Sequence, residues 1–194
     1  MRSVRERFGE RLVISVGRLV YYKGFDVLIR AMASVRGKLV IVGDGPLRGE
    51  LESLASELGV TGKVIFAGGI NNAGVTPYYH AADLFALASV ARSEAFGIVQ
   101  IEAMAAGLPV VNTGLDSGVP FVSLDGQTGL TVPPGDPQTL AVAINRLLDD
   151  DGLRKSLGEA GVRRARQEFG VGTMLNRTLE LYENVTHRNE SGSR

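Results

Sequence analysis

Short apolar runs alternate with segments of helical periodicity along most of the chain. Six of these runs predict β-strands, namely Leu12–Val16, Lys38–Val42, Lys63–Ala67, Leu84–Ala88, Pro109–Asn112 and Gly129–Val132. Because the runs are apolar at successive positions, both faces of each strand should be buried. A parallel sheet covered by helices on both sides has this property.

The segments between the runs carry apolar residues at three- and four-residue spacing. They predict helices over Gly24–Arg36, Pro46–Leu58, Pro77–Ala82 and Gly97–Ala106. Pro46 suits a first helical position, which needs no free backbone N–H. Strands that alternate with helices in this way predict an α/β fold with a doubly wound parallel sheet and right-handed crossovers.

The character of the chain changes after Asp136, where only helices are predicted. These are Pro137–Leu148, Leu153–Phe169 and Thr173–Val185. The final residues, 187–194, read HRNESGSR and are expected to form a disordered polar tail. Residues 1–186 then form one domain, with its helices concentrated at the C-terminal end.

Composition narrows the function classes. Lys and Arg together count 21, as do Asp and Glu, so the net charge is zero and a dedicated nucleic-acid binder is not expected. The chain has no cysteine and two histidines, which argues against thiol catalysis and a metal centre. His80 is expected to be a packed or surface side chain. The most apolar stretch, Ala81–Ala91, is interrupted by Asp83 and is too short to span a membrane. No signal-peptide core follows the charged N-terminus, so we expect a cytoplasmic protein.

Glycine is enriched, with 25 residues, and many of them follow the apolar runs. In a doubly wound sheet, ligands bind outside the carboxyl ends of the strands, so the loops after the strands are the candidate site. The first of these loops, Gly17–Gly24, contains Arg18 and Lys23. Two cations beside a helix N-terminus suit a phosphate, and two solvated surface cations are the alternative.

The second loop, Val42–Gly49, contains glycines spaced as in a dinucleotide-binding turn. That motif needs an acidic residue at the end of the next strand, and the sequence there, Phe66–Gly69, has none. A dinucleotide site is therefore disfavoured. The backbone at Gly45 can still approach a phosphate or a sugar.

The third loop leads into the helix predicted over Gly97–Ala106 and contains Glu94 and Glu102. Glu94 could cap the helix while Glu102 is solvated, or the two could bind a ligand. Eight helical residues rise about 12 Å, which exceeds the roughly 5–9.5 Å between the paired carboxylates of glycosidases. The two glutamates suit separate contacts along an extended ligand better than a catalytic pair.

Three motifs in this order resemble one enzyme family. They are G-R-L-x-x-x-K-G at Gly17–Gly24, G-D-G-P at Gly43–Pro46 and EAFGIVQIE at Glu94–Glu102, with AADLFALAS before and GLTVPPGDP after the last of them. Together, over residues 11–170, they resemble the retaining GT-B glycosyltransferases of group 1, which are glycogen-synthase-like. The resemblance implies a Rossmann-like domain that forms one half of a GT-B fold.

The resemblance also implies roles for individual residues. Arg18 and Lys23 would hold the diphosphate of a nucleotide-sugar, Glu94 would contact the transferred sugar, and Glu102 would bind the ribose hydroxyls. Catalysis is thus assigned to Glu94, Arg18 and Lys23, without a metal or a cofactor. The remaining substrate contacts are assigned to Gly17 and Gly45, to Ile70 beside the base, and to the backbone amides of Phe96, Gly97, Ile98 and Val99.

The implied protein is larger than this chain. GT-B enzymes have two such domains, and this sequence resembles the C-terminal donor-binding half, without the N-terminal acceptor domain. We therefore expect the chain alone to bind a nucleotide-sugar and to transfer nothing. The implied reaction transfers a hexosyl group to a glycan or lipid acceptor, and peripheral membrane association would be through the absent domain.

The donor is left open between GDP-mannose and a UDP-sugar. The segment Asn112–Pro120 keeps the turn glycines of the family but lacks an acidic residue common there, and it resembles a bacterial mannosyltransferase-like branch. Two other functions remain at this point. One is half of a GT-B-type epimerase or phosphorylase, although no lysine stands in the context of a pyridoxal-phosphate site. The other is a free-standing nucleotide-binding module.

Overall fold

The sheet is the centre of the fold. The computed structural model describes residues 4–9 and 11–191, with no side chains described at 72–73 and 184–191. Six parallel strands stand in the order β3-β2-β1-β4-β5-β6. Their bounds are β1 Leu12–Val16, β2 Lys38–Val42, β3 Val64–Gly68, β4 Leu84–Ala86, β5 Val110–Thr113 and β6 Gly129–Val132. The prediction of a doubly wound, Rossmann-like α/β fold is confirmed.

Helices cover both faces of the sheet. They are α1 Val4–Phe8, α2 Phe25–Ala31, α3 Arg48–Glu57, α4 Asn72–Ala81, α5 Val99–Ala105, α6 Val119–Val122, α7 Pro137–Asp149, α8 Asp151–Phe169 and α9 Val171–Ser191. Helices α2, α3 and α7 enclose one apolar core, which contains Leu28, Ile41 and Ile144. Helices α4, α5 and α6 enclose the other, which contains Ile14, Phe85 and Met104. Alternate residues of β1 therefore enter opposite cores, as the two-sided apolar runs predict.

The strand order creates one point where the chain reverses its winding direction. Strand β1 pairs with β2 on one side and with β4 on the other. The loops after β1 and β4 therefore leave the sheet in opposite directions, and a crevice opens between them at the carboxyl ends of the strands. We call this side of the sheet the carboxyl edge.

Two predicted helix boundaries are wrong because tertiary contacts compete for the backbone. Helix α2 ends at Ala31 and not at Arg36, since Asn145 on α7 accepts a 2.9 Å hydrogen bond from Arg36 N and donates one of 2.9 Å to Ser34 O. Helix α3 begins at Arg48, so Pro46 is not its first residue. The backbone before α3 is used elsewhere, because Leu47 N donates to Leu19 O at 3.2 Å.

Other differences concern elements without strong sequence signals. Helix α4 begins at Asn72, capped by the side chain of Asn71, so Pro77 lies inside it rather than at its start. The short helices α1 and α6 were not predicted. Helix α9 continues through residues 187–191, so the prediction of a disordered tail is wrong for these residues. The helix can continue because no glycine or proline interrupts the sequence from Thr173 to Ser191. Residues 192–194 of that tail lie outside the described residues.

Among the described residues, none of the helices combines the length and the hydropathy needed to cross a membrane.

Candidate functional site

Three loops at the carboxyl edge are held together backbone to backbone. Gly17 N donates to Val42 O at 3.0 Å, and Leu19 N donates to Asp44 O at 3.0 Å. A Cβ atom on Gly43 would lie 1.9 Å from Gly17 O, and one on Gly45 would lie 2.5 Å from Leu19 O. These distances are too short for any side chain. Gly43 and Gly45 thus allow the loop after β2 to brace the loop after β1.

The loop after β1 is also fixed against the loop after β4. Gly24 has φ +63°, and a Cβ there would lie 2.0 Å from Ala88 O, so only glycine fits. Val90 N donates to Tyr22 O at 2.9 Å. The two loops that flank the crevice therefore form one rigid unit.

This unit brings Lys23 and Glu94 together. Lys23 Nζ lies 2.5 Å from Glu94 Oε2, and the two side chains are only 11% and 9% exposed. Ser89 Oγ donates a further hydrogen bond of 3.1 Å to the same carboxylate oxygen. A buried ion pair needs such additional hydrogen bonds to offset the loss of hydration. The sequence predicts both residues but not their contact with each other, nor the contribution of Ser89.

Arg18 differs from Lys23 in its surroundings. Its side chain is exposed, and it forms no ion pair with a carboxylate of the described residues. Its position directly after Gly17 places it on the rim of the carboxyl edge. The loop after β1 therefore carries one exposed cation, Arg18, and one cation that is already paired, Lys23.

Glu94 does not cap α5, so that interpretation is wrong. The N-cap residue of α5 is Ile98, and no side chain bonds to the first amides of the helix. The amides of Phe96, Gly97, Ile98 and Val99 donate no hydrogen bond to any group that the structure describes. They lie immediately after Glu94 in the chain and remain available to an external acceptor.

A buried polar network fixes the shape of the loop that precedes α5. Gln100 is fully buried, and its amide donates to Phe96 O at 3.2 Å and to Val119 O at 3.3 Å. Asn112 Nδ2 donates to Gln100 Oε1 at 2.9 Å, and Asn112 Oδ1 accepts from Thr131 Oγ1 at 2.7 Å. Strands β5 and β6 are thereby linked to the start of α5. Gln100 and Asn112 were not predicted as supporting residues, since neither has a local sequence signal for this role.

A cavity of about 470 Å³ opens on the carboxyl edge beside this unit. Its walls are mostly apolar and come from the ends of β1 and β2, the loop after β3, and helices α4 and α5. Gly17, Ile70, Val99 and Glu102 line it, and all four were predicted. Val75, Thr76, Tyr79 and His80 line it too and were not placed in the site from the sequence.

Glu102 is exposed on the cavity wall and has one described partner. Tyr79 OH donates a hydrogen bond of 2.9 Å to Glu102 Oε2. Burial, the hydrogen bond to Glu102 and the charge of its carboxylate, in that order, raise the pKa of Tyr79. The phenol therefore stays protonated and keeps donating at physiological pH.

The predicted residues thus fall into two adjoining groups. The first group belongs to the two loops that flank the crevice between β1 and β4, and it comprises Arg18, Lys23, Glu94 and the amides of 96–99. The second group lines the cavity and comprises Ile70, Val99 and Glu102. Gly17 adjoins both groups, since it lines the cavity and a Cβ atom on it would lie 3.3 Å from the Lys23 side chain. Gly45 lines neither and serves to brace the loop.

Within the described residues, no group of three or more His, Cys, Asp or Glu side chains could hold a metal ion. A second cavity, of about 520 Å³, lies between α2 and α3 and is lined by none of the predicted site residues.

Comparison with known proteins decides the family. The family model described as "Glycosyl transferases group 1" matches residues 1–164. The chain belongs to this family. The six-stranded parallel sheet with helices on both faces is consistent with one half of a GT-B fold.

Several known proteins are similar to most of this chain. An uncharacterized glycosyltransferase of Methanocaldococcus jannaschii is 35% identical over 94% of this chain and 47% of its own length. A GDP-mannose-dependent α-(1-6)-phosphatidylinositol monomannoside mannosyltransferase of Mycolicibacterium smegmatis is 38% identical over 92% of this chain and 50% of its own. Among solved structures, the Anabaena protein HepE in complex with UDP has 29% identity and a TM-score of 0.86, covering 93% of this chain and 51% of HepE.

These proteins are longer than the chain described here. The chain spans about half the length of the relatives that it matches.

Proposed function

We propose that this chain is the donor-binding domain of a retaining glycosyltransferase, with a nucleotide-sugar as its ligand. The observation that carries the proposal is the joint placement of a cation-bearing crevice and a mostly apolar cavity at one edge of the sheet. Gly17 lies at their junction. A ligand with a flat apolar end, a ribose and a diphosphate would follow this surface from the cavity to the crevice.

Each part of such a ligand has a matching group. Ile70 and Val99 offer apolar contacts to a base, and Glu102 offers a carboxylate oxygen to a ribose hydroxyl. The ammonium of Lys23, the guanidinium of Arg18 and the free amides of 96–99 suit a diphosphate. Glu94, beside Lys23, would accept hydrogen bonds from hydroxyls of the sugar.

The same groups suit the reaction. When the bond between the sugar and the diphosphate breaks, the leaving group gains negative charge. Fixed cations and backbone amides aimed at the leaving oxygen stabilise that charge, because they need little reorganisation during the reaction. No step in this account requires a metal ion.

The acceptor would bind to a second domain that faces the carboxyl edge. The half-length match to the relatives supports this arrangement. Helix α9 supports it as well, since Met174, Leu175 and Leu179 are 53–60% exposed on a regular helix. Apolar side chains exposed along one helix would suit packing against that second domain.

The donor remains a choice between GDP-mannose and a UDP-sugar. The mycobacterial relative is named as GDP-mannose-dependent, and HepE was solved with UDP. Calorimetric titration of the chain with UDP, GDP and ADP, and with their sugar conjugates, tests the proposal. We expect saturable 1:1 binding of one nucleoside diphosphate, strengthened by its sugar. No saturation by any of them at millimolar concentration, which corresponds to about −4 kcal/mol, would reject the proposal.

A further inference from the structure

Tyr79 occupies an unusual position for a residue in the wall of the cavity. Its ring is 5% exposed and packs against Phe85 of β4, with the ring centroids 6.1 Å apart. Tyr79 and Glu102 nevertheless both line the cavity, and the Tyr79 hydroxyl donates to Glu102 Oε2 at 2.9 Å. The buried ring fixes the hydroxyl, and the hydroxyl fixes one oxygen of an otherwise exposed carboxylate.

This contact changes what Glu102 can offer to a ligand. An exposed glutamate has many rotamers, and selecting one on binding costs conformational entropy. With Oε2 held by Tyr79, the carboxylate already has a defined orientation. Its other oxygen, Oε1, accepts no hydrogen bond from a described residue and stays available.

The chemistry of the phenol suits this task. A lysine or arginine at this place would neutralise the carboxylate and lower its value as an acceptor. A neutral phenol donates one hydrogen bond and leaves the negative charge in place. Hydrogen bonds accepted by a charged group are stronger than those between neutral groups.

We propose that Tyr79 is a positioning residue that orients the Glu102 carboxylate toward a pair of ribose hydroxyls in the cavity. The inference rests on the proposed function, because it takes a nucleotide as the ligand. Tyr79 lies on α4, outside the motifs that carry the family resemblance, and would contribute to the affinity for the nucleotide.

The test compares Tyr79→Phe with Tyr78→Phe. Tyr78 is the next residue of α4 and packs against Phe8, 6.4 Å away between centroids, so its variant loses a hydroxyl outside the cavity. The probes are UDP and GDP, each with its 2′,3′-dideoxy analogue, titrated by calorimetry. We expect Tyr79→Phe to weaken the ribonucleotide that binds by about three- to tenfold. Its dideoxy analogue should bind both variants and the wild type with equal affinity.

The dideoxy analogue separates positioning from structural damage. A loosened cavity would weaken both nucleotides alike, and that outcome overturns the inference, as does an unchanged affinity for the ribonucleotide. A second measurement adds Tyr79→Phe to Glu102→Ala, where it should cause no further loss, because the carboxylate that it orients is gone. Failure of the wild type to bind any of UDP, GDP and ADP would instead reject the proposed function, and this inference with it. If ADP alone binds, ADP and its 2′,3′-dideoxy analogue are the probes.

Discussion

Lys23 and Glu94 form a buried ion pair across the point where the sheet reverses its winding, with Nζ 2.5 Å from Oε2. The two residues come from loops after different strands, 71 positions apart in the numbering. A diphosphate that binds to Lys23 would therefore share the charge of this ammonium with Glu94 and weaken the ion pair.

This sharing of one ammonium predicts opposite effects on two ligands when Glu94 is changed to glutamine. Glu94→Gln removes the negative charge paired with Lys23, so the nucleoside diphosphate should bind about two- to tenfold more tightly, the equivalent of one net hydrogen bond. The additional affinity contributed by the sugar should disappear. Calorimetry with both ligands measures the two effects, with Glu159→Gln, on the exposed surface of α8, as the control. Equal losses for both ligands would show that Glu94 does not contact the sugar.

The two cations should contribute separately to diphosphate binding. We expect Arg18→Ala and Lys23→Gln each to weaken a nucleoside diphosphate by about 1.5–3 kcal/mol, or ten- to more than a hundredfold. Lys23→Gln removes the cation from a buried pair, so urea denaturation must first show that this variant folds. If it does not fold, Arg18→Ala, with its exposed side chain, carries the test. The effect of Arg18 should shrink as salt rises, since its side chain is exposed.

The control for the cation variants is Lys38→Ala, which lies at the start of β2, at the opposite edge of the sheet. Wild-type affinity in the combined Arg18→Ala, Lys23→Gln protein would contradict the assignment of these residues to the diphosphate.

The buried network of Gln100 and Asn112 at the start of α5 should contribute strongly to the free energy of unfolding. Asn112→Ala would leave buried acceptors without partners, among them Gln100 Oε1 and Ser123 O. We expect a loss of about 2–4 kcal/mol in the free energy of unfolding, since each unsatisfied buried group costs about 1–3 kcal/mol. Urea denaturation measures it, with Gln138→Ala on the exposed face of α7 as the control. A loss below about 1 kcal/mol would mean that water replaces the lost contacts.

The raised pKa of Tyr79 should make the free energy of unfolding fall at alkaline pH. Its pKa is raised above the usual value near 10, chiefly by burial, so the folded state holds a proton that the unfolded state releases. Its contribution to stability is therefore complete below pH 10 and is lost as the pH rises above that value, at about 1.4 kcal/mol per pH unit. Between about pH 10 and 12, the free energy of unfolding should fall less steeply in Tyr79→Phe than in the wild type. Parallel curves for the two proteins would contradict this explanation.

The isolated chain should bind its donor without transferring the sugar. Transfer requires an acceptor hydroxyl held about 3–3.5 Å from the anomeric carbon, and such positioning can lower a barrier by roughly 7–11 kcal/mol. A radiolabelled-donor assay with glycan and lipid acceptors tests this, with and without the other half of the protein supplied in trans. Turnover near 1 s⁻¹ by the chain alone, an ordinary rate for an enzyme, would contradict the two-domain account.

The sequence predicted the strands well because their burial is a local property. Three of the six strands, β1, β2 and β6, have the predicted bounds. A short apolar run bounded by glycine or a charged residue is typical of a strand that is buried on both faces. Helix bounds were less accurate where distant groups compete for the backbone. The side chain of Asn145 ends α2, and the carbonyl of Leu19 takes the amide of Leu47 before α3, and neither contact has a local signal.

The positions of the candidate site residues could be predicted where they follow strands, whereas their contacts with each other could not. Arg18, Lys23, Glu94 and Glu102 each stand in a loop or helix that a parallel sheet must direct to its carboxyl edge. The contacts of Lys23 with Glu94, and of Tyr79 with Glu102, depend on strand order and on helix packing. Strand order is set by the pairing of the whole sheet, and no single segment of the sequence contains it.

Mapping of a bound nucleotide onto the backbone amides tests the central claim most directly. In this measurement, two-dimensional ¹H–¹⁵N spectra of the chain are recorded while the tightest-binding nucleoside diphosphate of the UDP, GDP and ADP series is added. We predict saturable shifts at Gly17, Lys23, Ile70 and the amides of 96–99, all at the carboxyl edge. Shifts confined to the cavity between α2 and α3, at Asp26 and Leu54, or no saturable shift at all, would contradict the account.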